Sequence, residues 1–291
     1  MKISVIAWDA SFREKLHTID SFCKQDYPTT DFEFIWVDFY DNNNPELLKK
    51  IDTYLNATLL NLKNSKDVTW HLGKCINAGV KAAKGDILVF PDGDIIVYKD
   101  HLKTIDKELT NQKDLVVYFR RWDELNDTHS IESYNETYLE QHTKLLNATN
   151  YAGCFALHRS AFQTINGYEE SEVFAGPGAN GKETYLRLRN AGFAIKWHDK
   201  KIYHPWHTST GSSDKKTDEL IKISNYHNWL NPYCGIKQSW VLKNRELDVT
   251  FKANQGIIEN YMKHVPNIDR LRIKQSKDTS KIKSVIKKYF K

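Results

Sequence analysis

Two aspartates two positions apart, Asp92 and Asp94, are the residues of this chain best suited to chemistry. They lie in the sequence Pro-Asp-Gly-Asp at residues 91–94, between the strand-like runs 86–90 and 95–98. Pro-Asp-Gly is also strong turn chemistry, and these four residues taken alone favour a turn. Two carboxylates at the end of a strand can instead share a divalent cation with the phosphates of a bound ligand, because hard oxygen ligands suit Mg²⁺ or Mn²⁺.

The first hundred residues predict the elements that position these aspartates. Apolar patterns indicate strands at 3–8, 32–38, 58–62 and 86–90, alternating with helices at 11–25, 45–55 and 75–83. This alternation predicts an α/β fold with a mostly parallel sheet flanked by helices, which binds ligands at the carboxyl ends of its strands. Several carboxylates fall at that edge and indicate a metal or a cationic ligand: Asp9, Asp38, Asp41, Asp92 and Asp94.

The pattern beyond residue 98 is less regular. It predicts helices at 100–111, 159–165 and 181–191 and strands at 115–120, 153–158 and 193–197. The polar stretch 122–150 gives no clear assignment. Residues 174–181 contain three glycines and one proline, which predicts a mobile loop.

Two histidines, His204 and His207, follow a strand-like segment in the sequence His-Pro-Trp-His. A lone histidine is more often structural than a ligand, but two of them three residues apart, in a chain with an aspartate-rich edge, make metal binding equally plausible. His204 is the favoured ligand of the two because it follows the strand directly. Trp206 between them fits either a sugar site or the core.

The order and spacing of several motifs resemble those of family 2 glycosyltransferases with the GT-A fold. The central part has a helix with Asn77-x-Gly79, then Ala-Lys-Gly-Asp at 83–86, an apolar strand and Asp-x-Asp at 92–94. The opening has a strand, Ser-Phe-Cys-Lys-Gln-Asp-Tyr-Pro at 21–28, and a second strand that ends in an aspartate. Asn-Gly-Tyr-Glu-Glu at 166–170, followed by the glycine-rich loop and Lys-Glu-Thr at 182–184, resembles the acceptor side. The resemblance covers about residues 2–207.

The resemblance implies roles for individual residues. Asp38 falls where the family contacts the nucleotide base, and Glu183 falls where it places its catalytic base. Asp92 and Asp94 fall on the pair that serves ribose, diphosphate and metal, and similar enzymes place a histidine near His204 as a further metal ligand. The predicted metal ligands are Asp92, Asp94, His204 and His207. The predicted contacts to the nucleotide-sugar are Trp8, Asp38, Lys74, Asn77, Asp92 and Gly93.

Three positions depart from the family pattern. Lys182-Glu183 replaces a Glu-Asp pair, so the predicted base is longer by a methylene and has a cationic neighbour. Phe39 replaces a second acidic residue, and Ile76 replaces an arginine whose charge Lys74 can supply. Glu183 also has a structural interpretation of equal weight, as the third helical residue of a capping box that begins at Asn180.

Charge and apolar patterning divide the chain into a predicted GT-A domain, residues 1–213, and a basic, mostly helical extension, residues 214–291. The extension has 17 Lys and Arg against 8 Asp and Glu, a net charge of +9, so residues 1–213 carry −4 of the chain's +5. Its last segment, 281–291, has apolar residues at helical spacing among five lysines. Such a helix fits peripheral contact with an anionic membrane and fits docking on its own domain equally well.

The composition also indicates a compartment and excludes some partners. The first strand is too short for a signal peptide and no run reaches the length of a membrane span, so we expect a cytoplasmic protein, peripheral on the inner face of the membrane if 281–291 binds lipid. The four scattered cysteines are expected to be reduced thiols. The basic residues lack a recognition motif, so nucleic acid is not an expected partner.

The candidate site residues and the family resemblance together predict a metal-dependent glycosyltransferase that uses Mn²⁺ or Mg²⁺, and the resemblance implies that it inverts the anomeric centre. It would move a sugar from a UDP- or GDP-sugar to a glycan or lipid-linked acceptor hydroxyl, in surface glycan or polysaccharide synthesis. A non-catalytic nucleotide-sugar or glycan-binding module on the same fold stays open because of Lys182-Glu183. A sugar-1-phosphate nucleotidyltransferase is disfavoured, since the loop after the first strand, residues 9–13, has no glycine.

Overall fold

The computed structural model describes residues 2–13, 15–125, 135–168, 170, 174–176 and 180–207, together with the backbone of 240–243 and 246–249. Its strands are β1 Ile3–Asp9, β2 Phe32–Asp38, β3 Ala57–Asn61, β4 Ile87–Pro91, β5 Ile96–Val97, β6 Leu115–Glu124, β7 Thr143–Lys144, β8 Cys154–His158, β9 Ala194–His204, β10 Trp240–Lys243 and β11 Glu246–Val249. Its helices are α1 His17–Cys23, α2 Pro45–Asp52, α3 Leu72–Ala82, α4 His101–Leu109, α5 Glu136–His142, α6 Arg159–Thr164 and α7 Asn180–Asn190.

Nine of these strands form one sheet in the order β3-β2-β1-β4-β8-β6-β9-β5, with β7 paired to β6. Strands β1 to β4 are parallel, as their βαβ connections require. Strand β8 lies antiparallel to both β4 and β6, whereas β6 and β9 are parallel. The α/β prediction is confirmed, but the sheet is mixed instead of mostly parallel, because the half beyond β4 is not built from βαβ units.

Apolar residues cover both faces of the sheet. Along β1, Ile3, Val5 and Ala7 join one buried cluster while Ile6 and Trp8 join the other. Successive side chains of a strand point to opposite faces, so a strand that is apolar at nearly every position must be buried on both. The aspartates that end β1 and β2, Asp9 and Asp38, stand at the carboxyl edge of the sheet.

Helix α3 lies unusually close to the sheet at Gly79. A Cβ at that position would stand 2.4 Å from Ile6 Cγ2, well inside van der Waals contact. Arg159 holds the far end of the helix, donating hydrogen bonds of 3.0 Å to the Val80 carbonyl and 2.9 Å to the Ala83 carbonyl. The glycine of the Asn-x-Gly motif is thus explained by helix–sheet packing.

Three predicted elements differ most in extent from the structure, and the others differ by three residues or fewer at either end. Helix α1 begins at His17 instead of residue 11, because residues 9–13 form a loop in which Asp9 Oδ1 accepts hydrogen bonds from the backbone of Ala10 and Phe12. Strands β6 and β9 run four and seven residues further than predicted and pair with each other. The unassigned stretch 122–150 contains the end of β6, helix α5 and β7.

The extension beyond residue 207 is described only at β10 and β11, which form an antiparallel pair. The sequence predicts a mostly helical extension and did not predict these two strands. The predicted amphipathic helix at 281–291 lies outside the described residues.

Among the helices that the structure describes, none combines the length and the apolar character needed to cross a membrane.

Candidate active site

The loop Asp92-Gly93-Asp94 follows β4 at the carboxyl edge of the sheet, as predicted. Asp92 pairs in parallel with Trp8 of β1 through an isolated bridge, so the loop continues the strand order for one residue. A Cβ on Gly93 would stand 2.7 Å from the Trp8 carbonyl oxygen. Only glycine therefore allows this approach, and it leaves the two flanking aspartates buried at the edge.

Three of the four predicted metal ligands converge on one point. The Nε2 atoms of His204 and His207 lie 3.1 Å apart, and they lie 3.4 and 3.2 Å from Oδ2 of Asp94. One ligand atom from each residue lies within 4.8 Å of the others. The arrangement joins the loop after β4 to the end of β9, elements that are more than a hundred residues apart in sequence.

Asp92, the fourth predicted ligand, lies beside this group and faces two arginines. Its Oδ2 lies 4.0 Å from Nη1 of Arg121. Burial raises the pKa of the Asp92 carboxyl, while the charges of Arg13 and Arg121 oppose that rise. The groups around Asp92 are thus positively charged, and positively charged groups are also the ones that bind a diphosphate.

Arg13 is a site residue that the sequence did not reveal. Its guanidinium forms an ion pair with Asp94 and lies 4.0 Å from Oδ1 of Asp9. The guanidinium also stands 4.9 Å from the ring centre of Phe12, within cation–π range. Nothing in the sequence around Arg13 marks it, because only the loop after β1 turns it back toward the edge.

The end of β6 contributes two further residues that the sequence did not reveal, Asp123 and Glu124. Oδ1 of Asp123 lies 3.0 Å from Nδ1 of His204 and 2.9 Å from Nε of Arg121. Oε2 of Glu124 accepts a hydrogen bond of 3.0 Å from the backbone of Trp206. Both fall in the polar stretch that the sequence left unassigned, so their strand position could not be foreseen.

The donor set formed by Asp94, His204 and His207 fits a divalent cation. Asp123 engages Nδ1 of His204, which directs that N–H to the carboxylate and leaves the Nε2 lone pair facing the group. Burial lowers the pKa of His204, which favours the neutral, ligating form. Oδ1 of Asp94 is buried and has no hydrogen-bond partner among the described residues. A cation between these atoms would satisfy all three side chains.

Comparison with known proteins identifies the family of this chain. Residues 16–165 match the model of the family described as "Glycosyl transferase family 2".

The chain belongs to glycosyl transferase family 2.

Two named relatives resemble it over part of their length. The poly(ribitol-phosphate) beta-N-acetylglucosaminyltransferase TarP of Staphylococcus aureus strain N315 is 32% identical over 120 residues, which are 40% of this chain and 36% of TarP. The enzyme of the same description, TarS of strain Mu50, is 31% identical over 104 residues, 35% of this chain and 18% of TarS. The aligned segments thus span little more than a third of TarP and less than a fifth of TarS.

Solved structures show the same fold at low sequence identity. S. aureus TarS 1–349 in complex with UDP-GlcNAc has a TM-score of 0.54 and 18% identity, over 78% of this chain and 66% of that one. The mannosyltransferase PcManGT of Pyrobaculum calidifontis, in complex with GDP-Man and Mn²⁺, has a TM-score of 0.52 and 14% identity, over 80% and 71%. These likenesses establish the GT-A fold for this family 2 chain.

Asp38, the predicted contact to the nucleotide base, is fully buried and takes part in many hydrogen bonds. Its carboxylate accepts hydrogen bonds from the backbone and hydroxyl of Ser11, both at 2.9 Å, and from the backbone of Tyr40 and the amide of Asn42, both at 2.8 Å. Asp38 therefore ties the loop after β1 to the loop after β2. Asp41, the next carboxylate, is exposed and is not among the converging ligands.

The predicted donor contacts Trp8, Lys74 and Asn77 have varied surroundings. Trp8 packs against Phe12 and against Trp70, with the two indole rings 5.1 Å apart. Asn77 clamps the backbone of Tyr168, accepting from its N–H and donating to its carbonyl, both at 2.9 Å. Lys74 is half-buried on helix α3. The contact that each of these three residues would make with a nucleotide-sugar stays a prediction.

Glu183 on α7 is completely buried in an ion pair with Arg187. Its two oxygens accept hydrogen bonds of 2.5 and 2.8 Å from Nε and Nη2 of the guanidinium, while Nη1 binds the carbonyls of Ile165 and Gly167. The predicted capping box does not form, because Oδ1 of Asn180 has no hydrogen-bond partner among the described residues. The catalytic role predicted for Glu183 is untested by these contacts, which show a structural one.

Proposed function

We propose that this chain is a metal-dependent, inverting glycosyltransferase that transfers a sugar from a nucleotide-diphosphate sugar to an acceptor hydroxyl. The observation that carries the proposal is the convergence of Asp94, His204 and His207 beside Asp92, at the carboxyl edge of a GT-A sheet. The family supports sugar transfer, and the site supplies the charges that such a transfer needs. Inversion and the direct displacement it implies rest on the resemblance alone.

The donor is proposed to be a UDP-sugar, with UDP-GlcNAc as the leading candidate. TarP and TarS are named as N-acetylglucosaminyltransferases, and a TarS fragment of the same fold has been solved with UDP-GlcNAc. A GDP-sugar remains the alternative, since PcManGT of similar fold has been solved with GDP-Man.

The proposed roles of the site residues follow from their charge and position. Asp94, His204 and His207 would hold the divalent cation, which when bound offsets the negative charge of the leaving diphosphate. Arg121 lies 4.0 Å from Asp92 and Arg13 pairs with Asp94, so both would add cationic charge at this edge. Such preorganised charges stabilise a developing anion without having to reorient.

The base that removes the proton from the acceptor hydroxyl is proposed to be Glu183, under one structural requirement. At least one carboxylate oxygen must leave Arg187 before it can accept that proton, because both oxygens are engaged by the guanidinium.

The acceptor is proposed to be a hydroxyl of a surface glycan or a phosphate-linked polyol. The names of TarP and TarS support the second, since both specify poly(ribitol-phosphate). A lipid-linked acceptor would agree with the proposed cytoplasmic site of action and with peripheral membrane contact through residues 281–291.

The decisive experiment is a panel of nucleotide sugars tested with Mn²⁺, with Mg²⁺ and with chelator. We expect UDP-GlcNAc to raise the melting temperature only when a divalent ion is present, and to be hydrolysed slowly under the same conditions. Because Mg²⁺ takes oxygen ligands and this group offers two imidazole nitrogens, Mn²⁺ should give the larger effect. The double variant His204→Ala/His207→Ala should lose both responses. Binding without any donor turnover would favour a non-catalytic module, and no response to any donor would exclude the proposal.

A further inference from the structure

We propose that Asp123 and Glu124, the last two residues of β6, are positioning residues that hold the His204–His207 turn in its metal-binding arrangement. The proposal rests on the proposed function, since it presumes that the turn binds a divalent cation. Neither residue belongs to the converging group itself. Each acts instead on one half of the turn.

Asp123 fixes the first histidine. Its Oδ1 lies 3.0 Å from Nδ1 of His204, on the side of the ring opposite the group formed with Asp94. The same oxygen lies 2.9 Å from Nε of Arg121, so the carboxylate is itself held in place. A carboxylate on the remote nitrogen of a ligating histidine sets its tautomer, its ring orientation and its basicity.

Glu124 fixes the backbone between the two histidines. Its Oε2 accepts a hydrogen bond of 3.0 Å from the N–H of Trp206, and its Oε1 accepts one from the hydroxyl of Tyr138 on helix α5. Trp206 directly precedes His207, so this contact restrains the peptide that carries the second ligand. The two adjacent acidic residues therefore restrain both ligands that β9 and its following turn provide.

A shift of register between β6 and β9 makes this arrangement possible. Phe119 pairs with His198, but its neighbour Arg120 pairs with Lys201, so two extra residues of β9 are accommodated at that point. After the shift Asp123 lies opposite His204. With the earlier register continued, Asp123 would lie opposite Ile202, and the histidine would stand beyond the end of β6. A bulge of this kind re-aims side chains beside a site.

The proposal is tested by measuring the affinity of the full-length protein for Mn²⁺ alone, by electron paramagnetic resonance of the free ion, with no donor present. We expect Asp123→Ala to weaken Mn²⁺ binding by ~10–100-fold, the range found when such an outer partner of a ligand is removed. Asp123→Asn keeps an acceptor oxygen without the charge and should fall between Ala and the wild type. Glu124→Ala should also weaken binding, because the turn would lose its backbone anchor.

Glu108→Ala is the matched control. Glu108 also pairs with β9, through Lys196, but near the other end of the strand, so its loss should leave Mn²⁺ affinity unchanged. Circular dichroism checks that each variant is folded, and Asp123→Asn serves if the alanine variant is not. Wild-type affinity in folded Asp123→Ala or Asp123→Asn would overturn this inference alone. Failure of the wild type to bind Mn²⁺ would instead overturn the metal site of the proposed function.

Discussion

At the scale of single residues, the partner of each buried carboxylate decides what that carboxylate can do. Asp94 turns Oδ2 to two imidazoles and to the guanidinium of Arg13, and its Oδ1 has no hydrogen-bond partner among the described residues, whereas both oxygens of Glu183 are occupied by Arg187. Asp38 is surrounded by donors from its own loops. A buried carboxylate therefore serves as a candidate ligand, as half of an ion pair or as a tie between loops, depending on its partners.

The Glu183–Arg187 pair predicts a loss of stability that a purely catalytic residue would not cause. Glu183→Gln leaves the guanidinium buried without its counter-charge, which costs about 3–5 kcal/mol when one partner of a buried pair is removed. We expect a clear fall in the free energy of unfolding, measured by urea denaturation with circular dichroism. A variant of unchanged stability that binds donor normally but has lost transfer would instead establish the role of base.

A double variant separates the two roles further. Glu183→Leu/Arg187→Leu removes both charges, so we expect it to be less destabilised than either single variant, as is common when a buried pair is replaced by apolar residues. If the double variant lost as much free energy of unfolding as the two single variants together, the coupling that the hydrogen bonds indicate would be contradicted.

Asp9 predicts a measurable dependence of stability on pH. Burial, reinforced by the charge of Asp38, raises the pKa of Asp9 to about 6 from 3.8. A raised folded pKa means that the native state binds the proton more tightly than the unfolded chain does. The contribution of Asp9 to stability is therefore greatest below pH 4 and is lost as pH rises through 6.

Asp9→Asn tests this directly. The Oδ1 atom of asparagine can still accept the hydrogen bonds of the Ala10 and Phe12 backbones, but it carries no charge. We expect the free energy of unfolding of the variant to exceed that of the wild type by about 2–3 kcal/mol at pH 7 and by less at pH 4. Thermal unfolding of both proteins between pH 4 and 7 measures the difference. A constant offset across that range would contradict the assignment to Asp9.

At the scale of elements, close packing of α3 predicts intolerance of any side chain at Gly79. Alanine there would place its Cβ 2.4 Å from Ile6 Cγ2, although alanine is otherwise the better helix former. We expect Gly79→Ala to destabilise the fold by about 1–3 kcal/mol, as overpacked cores do. Lys81→Ala, at an exposed position of the same helix, is the control and should change the free energy of unfolding little.

The strands differ in how well the sequence predicted them, for a physical reason. Strand β2 was predicted with its observed bounds, and β1 within one residue, because both are buried on two faces and read as continuous apolar runs. Strands β6 and β9 continue into segments rich in charged residues, and a register shift interrupts their pairing. Neither an apolar run nor a regular alternation marks their ends, so both were predicted too short.

The candidate site likewise contains residues that the sequence predicted and residues that it did not. Asp92, Asp94, His204 and His207 were identified because they form short motifs after strands that the sequence reveals. Arg13, Asp123 and Glu124 were missed because their place in the site depends on the course of one loop and on the pairing of β6 with β9. Sequence motifs identified the residues that converge on one point. The residues that hold them in place could be identified only from the folded structure.

At the scale of the whole molecule, the chain separates a slightly acidic part from a strongly basic one. Residues 1–213 carry a net charge of −4 and residues 214–291 carry +9. Within the second part, 281–291 combines five lysines with apolar residues at helical spacing. Each basic residue near an anionic membrane surface contributes ~1 kcal/mol to the free energy of binding. The sequence therefore predicts an electrostatic attraction between 281–291 and anionic membranes, which salt weakens.

Vesicle flotation tests whether this charge brings the enzyme to its proposed acceptor. We expect the full-length protein to float with vesicles containing phosphatidylglycerol at low salt and to be released at ~0.5 M NaCl, where the Debye length falls well below 10 Å. A 1–275 truncation, which removes six lysines, should stay in the soluble fraction. A variant with the five lysines of 281–291 changed to glutamine keeps the apolar residues and separates charge from hydrophobic insertion. Equal flotation of all three proteins would show that 281–291 is not the attachment, and the acceptor would then have to reach the enzyme by another surface.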